Sequence, residues 1–147
     1  MYSDPDVQQF ITANFIPVKI HIKEQPKEFK RFGAEWTPTI ITRDAESGDE
    51  RHRIEGFLPK DEFLAHLELA AGQYAFGRKK WEDAERYFNE AAQKYPSTDA
   101  APEAVYWAGV SRYKKTQDPK ALGDTWTALS ERYPQSLWAK KASVWAK

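Results

Sequence analysis

The octapeptide Glu35-Trp36-Thr37-Pro38-Thr39-Ile40-Ile41-Thr42 decides the fold of the first half of this chain. Its second half is β-branched and apolar, which predicts a strand from Pro38 to Arg43. Ser47-Gly48-Asp49 follows with the composition of a hairpin turn, and an apolar run over residues 54–57 predicts the returning strand. The stretch therefore predicts a β-hairpin that begins at a proline.

Helix and strand patterns flank this hairpin. Asp4-Pro5 supplies an N-cap and a proline at the first helical position, so we predict a short helix over residues 5–13. Residues 26–33 predict a second short helix that ends at a glycine, and Leu58-Pro59 opens a third. Between the first two helices, apolar residues alternate and predict a strand over residues 15–22. The alternating residues are Ile16, Val18, Ile20 and Ile22.

This order of elements resembles the C-terminal part of a thioredoxin over about residues 2–70. The stretches that carry the resemblance are "FIPVKIHI", "FKRFGAEWTPTIIT" and "RIEGFLPKDEFLAHL". The opening "YSDPDVQQFITANFIPVKI" resembles the segment that follows the Cys-x-x-Cys of thioredoxin-like proteins of the thiol–disulfide interchange type. The resemblance implies a truncated thioredoxin-like domain of the α/β class at residues 1–70, with an incomplete sheet.

The resemblance also implies a role for the residues around the proline. In that family a cis peptide bond would precede Pro38, and the backbone of Thr37 would pair with an extended peptide beside the redox cysteines. Trp36, Thr37 and Pro38 are therefore candidate peptide-binding residues. The alternative is that Pro38 only begins an edge or buried strand, where its missing N–H does no harm.

The chain has no cysteine, and this separates it from the chemistry of that family. Thiol–disulfide exchange needs a thiolate nucleophile, and disulfides and thiolate metal sites need the same side chain. No glycine-rich phosphate loop or metalloprotease motif is present. We therefore predict no catalytic residue, no metal site and no cofactor. His21, His52 and His66 are predicted to be separate surface or half-buried side chains, and the acidic residues within 44–50 a solvated hairpin tip.

A thioredoxin sheet also contains a strand that this chain does not supply. That strand would lie between the predicted strands at Val18–Ile22 and Thr39–Thr42, and its loss leaves rows of unpaired backbone groups. Three outcomes are open. The flanking strands pair directly, a second copy of the chain supplies the pairing in a homodimer, or Met1 is an internal start within a longer protein.

After Ala65 the chain repeats itself at an interval of 38 residues. Tyr95-Pro96 matches Tyr133-Pro134, and Trp107 matches Trp145. Apolar residues recur at helical spacing within each unit, which predicts an all-α helix–turn–helix array.

The array resembles tetratricopeptide (TPR) repeats, especially the variant of bacterial envelope-associated proteins, in the stretch "KYPSTDAAPEAVYWAGVSRYKK". The resemblance implies a second domain at residues 65–147, with two repeats and a capping helix from about Leu137. Pro134 falls one residue late, which predicts a lengthened loop in the second repeat. Small residues would let the helices approach closely; they are Gly72, Ala84, Gly109 and Ala121.

The helix Asp61–Phe76 is predicted to belong to both halves, because no Gly/Ser-rich or Pro-rich linker separates them. In TPR stacks the first helix of each repeat lines a concave face that holds a peptide. The resemblance places the following residues on that face: Gln73, Phe76, Tyr106, Val110, Tyr113 and Lys114. The alternative is that Phe76 and Tyr113 pack between helices.

Composition limits the partners and the compartment. With 22 basic and 22 acidic residues, the chain gives no indication of nucleic-acid binding. No apolar run approaches the roughly 20 residues that span a bilayer, so no membrane insertion is predicted. The polar first residues do not resemble a signal peptide. We expect a cytoplasmic protein as the chain stands, and a periplasmic location stays open if the start is truncated.

Two hypotheses for function follow. The first is a non-catalytic interaction module that binds a protein or peptide partner. The second is the C-terminal fragment of a thiol–disulfide oxidoreductase whose Cys-x-x-Cys lies upstream of Met1.

Overall fold

A computed structural model describes residues 2–146; Met1 and Lys147, the outer limits of the two predicted domains, lie outside the described residues. Over that range the chain forms seven α-helices, one 3₁₀-helix and a two-stranded antiparallel sheet. A mixed α/β start is thus followed by helices alone. The elements are α1 (Pro5–Asn14), α2 (Pro26–Arg31), β1 (Thr39–Arg43), β2 (Glu50–Glu55), α3 (Lys60–Gly77), α4 (Trp81–Lys94), α5 (Ala100–Thr116), α6 (Lys120–Arg132), α7 (Leu137–Ala142) and the 3₁₀-helix Ser143–Trp145.

Strands β1 and β2 form the predicted hairpin. Ile40 lies opposite Ile54 and Thr42 opposite His52, and the register shifts after Thr42. The returning strand lies earlier than predicted, because Gly56 has a φ of +89° and takes the chain out of the extended conformation. Residues 54–57, where the returning strand was predicted, therefore begin within β2 and end two residues after it.

The strand predicted over residues 15–22 does not form, and that prediction was wrong. Residues 15–21 have no regular secondary structure, and the side chains of Ile16 and Val18 are 88% and 81% exposed. A strand is stable only beside another strand, and β1 pairs with β2 alone among the described residues. Direct pairing of the two flanking strands is thus absent from this structure.

The first hydrophobic core lies between the hairpin, α1 and α3. Lys60 at the start of α3 binds Asp4 at 2.9 Å and Asp6 at 2.7 Å, which holds the N-terminus of α1 against α3. The buried residues of this core are Val7, Ile54, Phe63, Leu64 and Leu67.

Helices α3 to α7 form the second part of the chain. Each helix packs against the next, and α5 also touches both α3 and α7. Helix α3 contributes to two cores, because Leu64 and Leu67 lie in the first while Ala65 and Leu69 lie in the second. Phe88 of α4 is fully buried at the centre of the second core.

Glycines allow the close approach of successive helices at two matching positions. A Cβ on Gly72 of α3 would lie 2.5 Å from the ring of Phe88, and a Cβ on Gly109 of α5 would collide with Thr125 of α6. Both members of the second pair follow those of the first by 37 residues. The interval of 38 residues holds only from the end of α6 onward, where Tyr133-Pro134 follows one residue late.

The C-terminal capping helix is shorter than predicted. Helix α7 ends at Ala142, and the 3₁₀-helix Ser143–Trp145 continues it. The two elements pack on α6 through a third core of Leu129, Ala139 and Ala142.

The hairpin tip is anchored to the end of α3 by an ion pair that sequence reasoning missed. The Arg78 guanidinium donates two hydrogen bonds to Asp44, at 2.6 and 2.5 Å, and a third to Glu46 at 3.0 Å. Asp44 is 1% exposed, so the prediction of a solvated tip is wrong for this residue. The Arg78 guanidinium holds the pKa of the Asp44 carboxyl far below its usual range, although burial opposes this.

Candidate functional site

The first candidate site is the outer edge of β1. The Thr37–Pro38 peptide bond is cis, as predicted. The Pro38 carbonyl accepts a hydrogen bond from the N–H of Gly56 at 2.7 Å, so Pro38 faces β2. Because hydrogen-bonding direction alternates along a strand, the backbone groups of Thr39 and Ile41 face away from β2.

Exposed side chains surround this edge. Trp36 is 69% and Phe57 72% exposed, and Thr37 and Pro38 are exposed as well. The Thr39 hydroxyl donates to the Trp36 carbonyl at 2.6 Å, which fixes the entry into β1. Within residues 2–146 the backbone N–H and carbonyl of Thr37 form no hydrogen bond. Within residues 2–146 the edge is thus an unpaired row of backbone donors and acceptors, and its first residues follow the exposed Trp36.

The second candidate site comprises the residues predicted on the concave face. Gln73, Val110 and Tyr113 are half-buried, and Lys114 is exposed. These residues lie on α3 and α5. Among the described residues, no hydrogen bond or aromatic contact joins this group to Trp36, Thr37 or Pro38. The predicted peptide-binding residues therefore form two separate groups.

Phe76 and Tyr106 are half-buried and make aromatic contacts. The ring centroid of Phe76 is 5.0 Å from that of Trp81 and 5.2 Å from that of Trp107, so Phe76 packs between helices, the alternative given above. The Tyr106 ring stacks on Trp145 at 4.9 Å. Both residues therefore contribute to the aromatic packing between the helices.

Trp107 connects these contacts and was not singled out as a functional residue from the sequence. Its ring lies 5.2 Å from Phe76, 5.5 Å from Tyr106 and 6.4 Å from Trp138, so one aromatic series runs from α3 through α5 to α7. Its indole Nε1 is buried and has no hydrogen-bond partner among residues 2–146. The signal in the sequence was the match between Trp107 and Trp145, which shows that the position recurs in the repeat.

Two of the three histidines, predicted to be separate, form a pair. His52 Nε2 on β2 and His66 Nδ1 on α3 lie 3.0 Å apart and share a hydrogen bond. One ring nitrogen must accept in that bond, so both rings cannot be protonated. Burial lowers the pKa of His52 to about 4; His66 adds to this and Glu50 opposes it. Burial also lowers the pKa of His66, against the opposing charges of Glu62 and Asp99.

The histidine pair predicts a loss of stability in mild acid. Unfolded histidine, with a pKa near 6.5, takes up a proton that folded His52 does not, so acid favours the unfolded state. We expect the free energy of unfolding to fall by about 1–2 kcal/mol between pH 7 and pH 5 through this group. Urea denaturation over a pH series measures it. His52→Gln should lose this part of the pH dependence of stability, while His21→Gln, at an exposed site, should keep it. Identical pH profiles for His52→Gln and the unsubstituted chain would contradict the assignment of the effect to His52.

No group of three or more His, Asp or Glu side chains suited to a metal ion occurs in the described part of the chain. Nor does any helix within residues 2–146 combine the length and apolar character needed to cross a membrane.

Comparison with known proteins identifies the first half. Residues 1–71 match a family model described as a thioredoxin-like domain, so such a domain is present there. No tetratricopeptide family model matches the chain. No curated protein and no solved structure matches it.

Proposed function

We propose that this chain, whose thioredoxin-like domain carries no cysteine, is a non-catalytic module that binds a protein or peptide partner. The carrying observation is the absence of cysteine from all 147 residues, because thiol–disulfide exchange has no other nucleophile. The structure retains the scaffold around the proline, and helices α4 to α7 follow the shared helix α3. These two observations favour binding of a partner over catalysis of thiol–disulfide exchange.

The helical half supports a TPR-like array. Helices α3, α4, α5, α6 and α7 pack in sequence, and α5 touches both α3 and α7. The contact of Gly72 with Phe88 recurs as that of Gly109 with Thr125, at the corresponding position of the next helix pair. In such an array α3, α5 and α7 line one side, and the peptide partner would lie along that side.

The proposed binding face is formed by Gln73, Val110, Tyr113 and Lys114, and the same two helices carry the aromatic contacts of Phe76 and Tyr106. Half-buried apolar and aromatic side chains exclude water from a bound peptide, and polar groups at the rim fix its orientation. This arrangement suits an extended or helical peptide rather than a small molecule.

A matched pair of glutamate substitutions tests this face. Val110→Glu places a charge on α5 within the face, and Thr127→Glu places the same charge at an exposed position on α6. We expect labelled protein to bind a subset of peptides on a synthetic array. Val110→Glu should weaken that binding at least about 10-fold, because an unpaired charge is desolvated on binding.

Thr127→Glu should bind as the unsubstituted chain does. An array that binds no peptide, or equal losses in the two variants, would contradict the assignment of this face.

One observation favours a second candidate, a fragment of a thiol–disulfide oxidoreductase. The backbone of Thr37 is unpaired within residues 2–146 and Trp36 is exposed, which is the arrangement that the resemblance implies for peptide binding beside redox cysteines. Translation of the DNA upstream of Met1 tests it. An in-frame Cys-x-x-Cys would support this candidate, and an immediate in-frame stop codon would exclude it.

A further inference from the structure

The exposed apolar side chains are concentrated in the first 57 residues. Of eight exposed large hydrophobic residues among residues 2–146, six lie there. The six are Tyr2, Ile16, Val18, Ile22, Trp36 and Phe57.

Three of these residues belong to a segment that has the sequence of a strand but, among the described residues, pairs with no strand. Apolar residues alternate from Ile16 to Ile22, and the odd positions carry Lys19 and His21. Phe15, directly before them, packs against the first core and fixes where the segment leaves the domain. The segment then continues without regular secondary structure over residues 15–21.

The outer edge of β1 is the complementary element. Its backbone groups at Thr39 and Ile41 face away from β2, and among the described residues β2 is the only strand that pairs with β1. The backbone of Thr37, directly before the strand, is also unpaired within residues 2–146. An open edge of this kind binds an added strand. Each copy of the chain therefore carries both an unpaired strand sequence and an unpaired edge, and the two do not meet within one copy.

We propose that the outer edge of β1 binds the segment Phe15–Ile22 of a second copy of this chain. Reciprocal exchange uses both segments and both edges, so the product is a closed twofold dimer rather than an open polymer. This pairing concerns the thioredoxin-like half and does not depend on the binding face proposed on α3 and α5.

Pro17 determines which side of the segment pairs. Pro17 has no N–H, and residues 17, 19 and 21 direct their backbone groups to one side of an extended chain. The segment therefore pairs through the even residues, from Ile16 to Ile22. Their apolar side chains then lie on one face of the enlarged sheet, and Lys19 and His21 lie on the other.

Adjacent proline substitutions test this geometry. Val18→Pro removes an N–H directed at β1 of the other copy, whereas Lys19→Pro removes one that points outward. Sedimentation equilibrium of the unsubstituted chain should show a dimer. Val18→Pro should weaken dimerisation at least about 10-fold, since two interchain hydrogen bonds are lost per dimer, and Lys19→Pro should leave it largely unchanged. A monomeric unsubstituted chain, or equal losses in both variants, would overturn the proposal.

Cross-linking between copies provides a second readout that does not depend on a proline. The chain has no cysteine, so single-cysteine variants react at one site. Val18→Cys and Thr39→Cys chains of different mass, mixed and treated with a short bis-maleimide, should give a mixed cross-link. Val144→Cys, at an 80% exposed valine in the C-terminal part, is the control and should give none with Thr39→Cys.

A Val18→Cys/Thr39→Cys double variant that cross-links only within one chain would overturn the exchange, because the segment would then pair inside a monomer. A control cross-link as abundant as the mixed one would also overturn it.

Discussion

Replacement of Phe88 by alanine is expected to lower the free energy of unfolding by about 3–5 kcal/mol. Phe88 is fully buried on α4, and its ring packs on Gly72 of α3. Truncation therefore removes the whole aromatic ring. Gly72, which the ring contacts, has no side chain that could move into the space. The cost should lie near the upper end of large-to-small substitutions.

Urea denaturation followed by tryptophan fluorescence and far-UV circular dichroism measures this loss. Phe57→Ala is the matched control, because Phe57 is 72% exposed and its truncation should change stability by only about 0.5 kcal/mol or less. Helix α3 belongs to two cores, so we expect a single transition with the same midpoint by both probes. Equal effects of the two substitutions would show that Phe88 is not the centre of the core.

Addition of one methyl group at Gly109 should lower stability by about 1–3 kcal/mol. The Cβ of an alanine on α5 would collide with the side chain of Thr125 on α6. Thr125 is buried, and its hydroxyl donates to the Ala121 carbonyl at 2.7 Å, so it cannot turn away without breaking that bond. The two helices would have to separate instead.

Gly123→Ala is the control for the glycine substitution. Gly123 lies on α6, and a Cβ added there would meet no atom within 4 Å, so alanine should stabilise the helix by about 0.5–1 kcal/mol through its higher helix propensity. Thermal unfolding of both variants measures the two changes directly: the midpoint temperature should fall for Gly109→Ala and rise for Gly123→Ala. A Gly109→Ala protein as stable as Gly123→Ala would mean that α5 and α6 are not in close contact at this point.

Features encoded by neighbouring residues could be predicted from the sequence. Asp4 caps α1 through its side chain, as the Asp4-Pro5 pair predicts, and Gly48 supplies the positive φ of the hairpin turn. The helices of the second half follow from apolar spacing and from the prolines and glycines at their ends. Such patterns act over a few residues, so each segment determines its own conformation.

Features that depend on residues far apart in the sequence were either not predicted or predicted wrongly. The apolar alternation from Ile16 to Ile22 is a sufficient pattern for a strand, but a strand also needs a partner, and the described part of the chain provides none at that place. Asp44 and Arg78 meet across 34 positions in the sequence. The histidine contact could have been inferred, because His52 shares a strand face with Ile54, and His66 lies one helical turn after Phe63.

Helix α3 has a consequence for how a partner would be held. It carries Gln73 near one end, closes the first core with Leu64 near the other, and is fastened to the hairpin by Arg78. In the dimer proposed above the edge of β1 is occupied by the other copy, and α3 joins that edge to the α3–α5 face. Two binding segments of one partner, joined by a linker, would therefore meet the α3–α5 faces of the two copies at a constant separation. Attachment of the first segment would raise the effective concentration of the second, so avidity would depend on linker length with a single optimum. Helix α3 thereby fixes the distance between the two peptide-binding faces of the dimer.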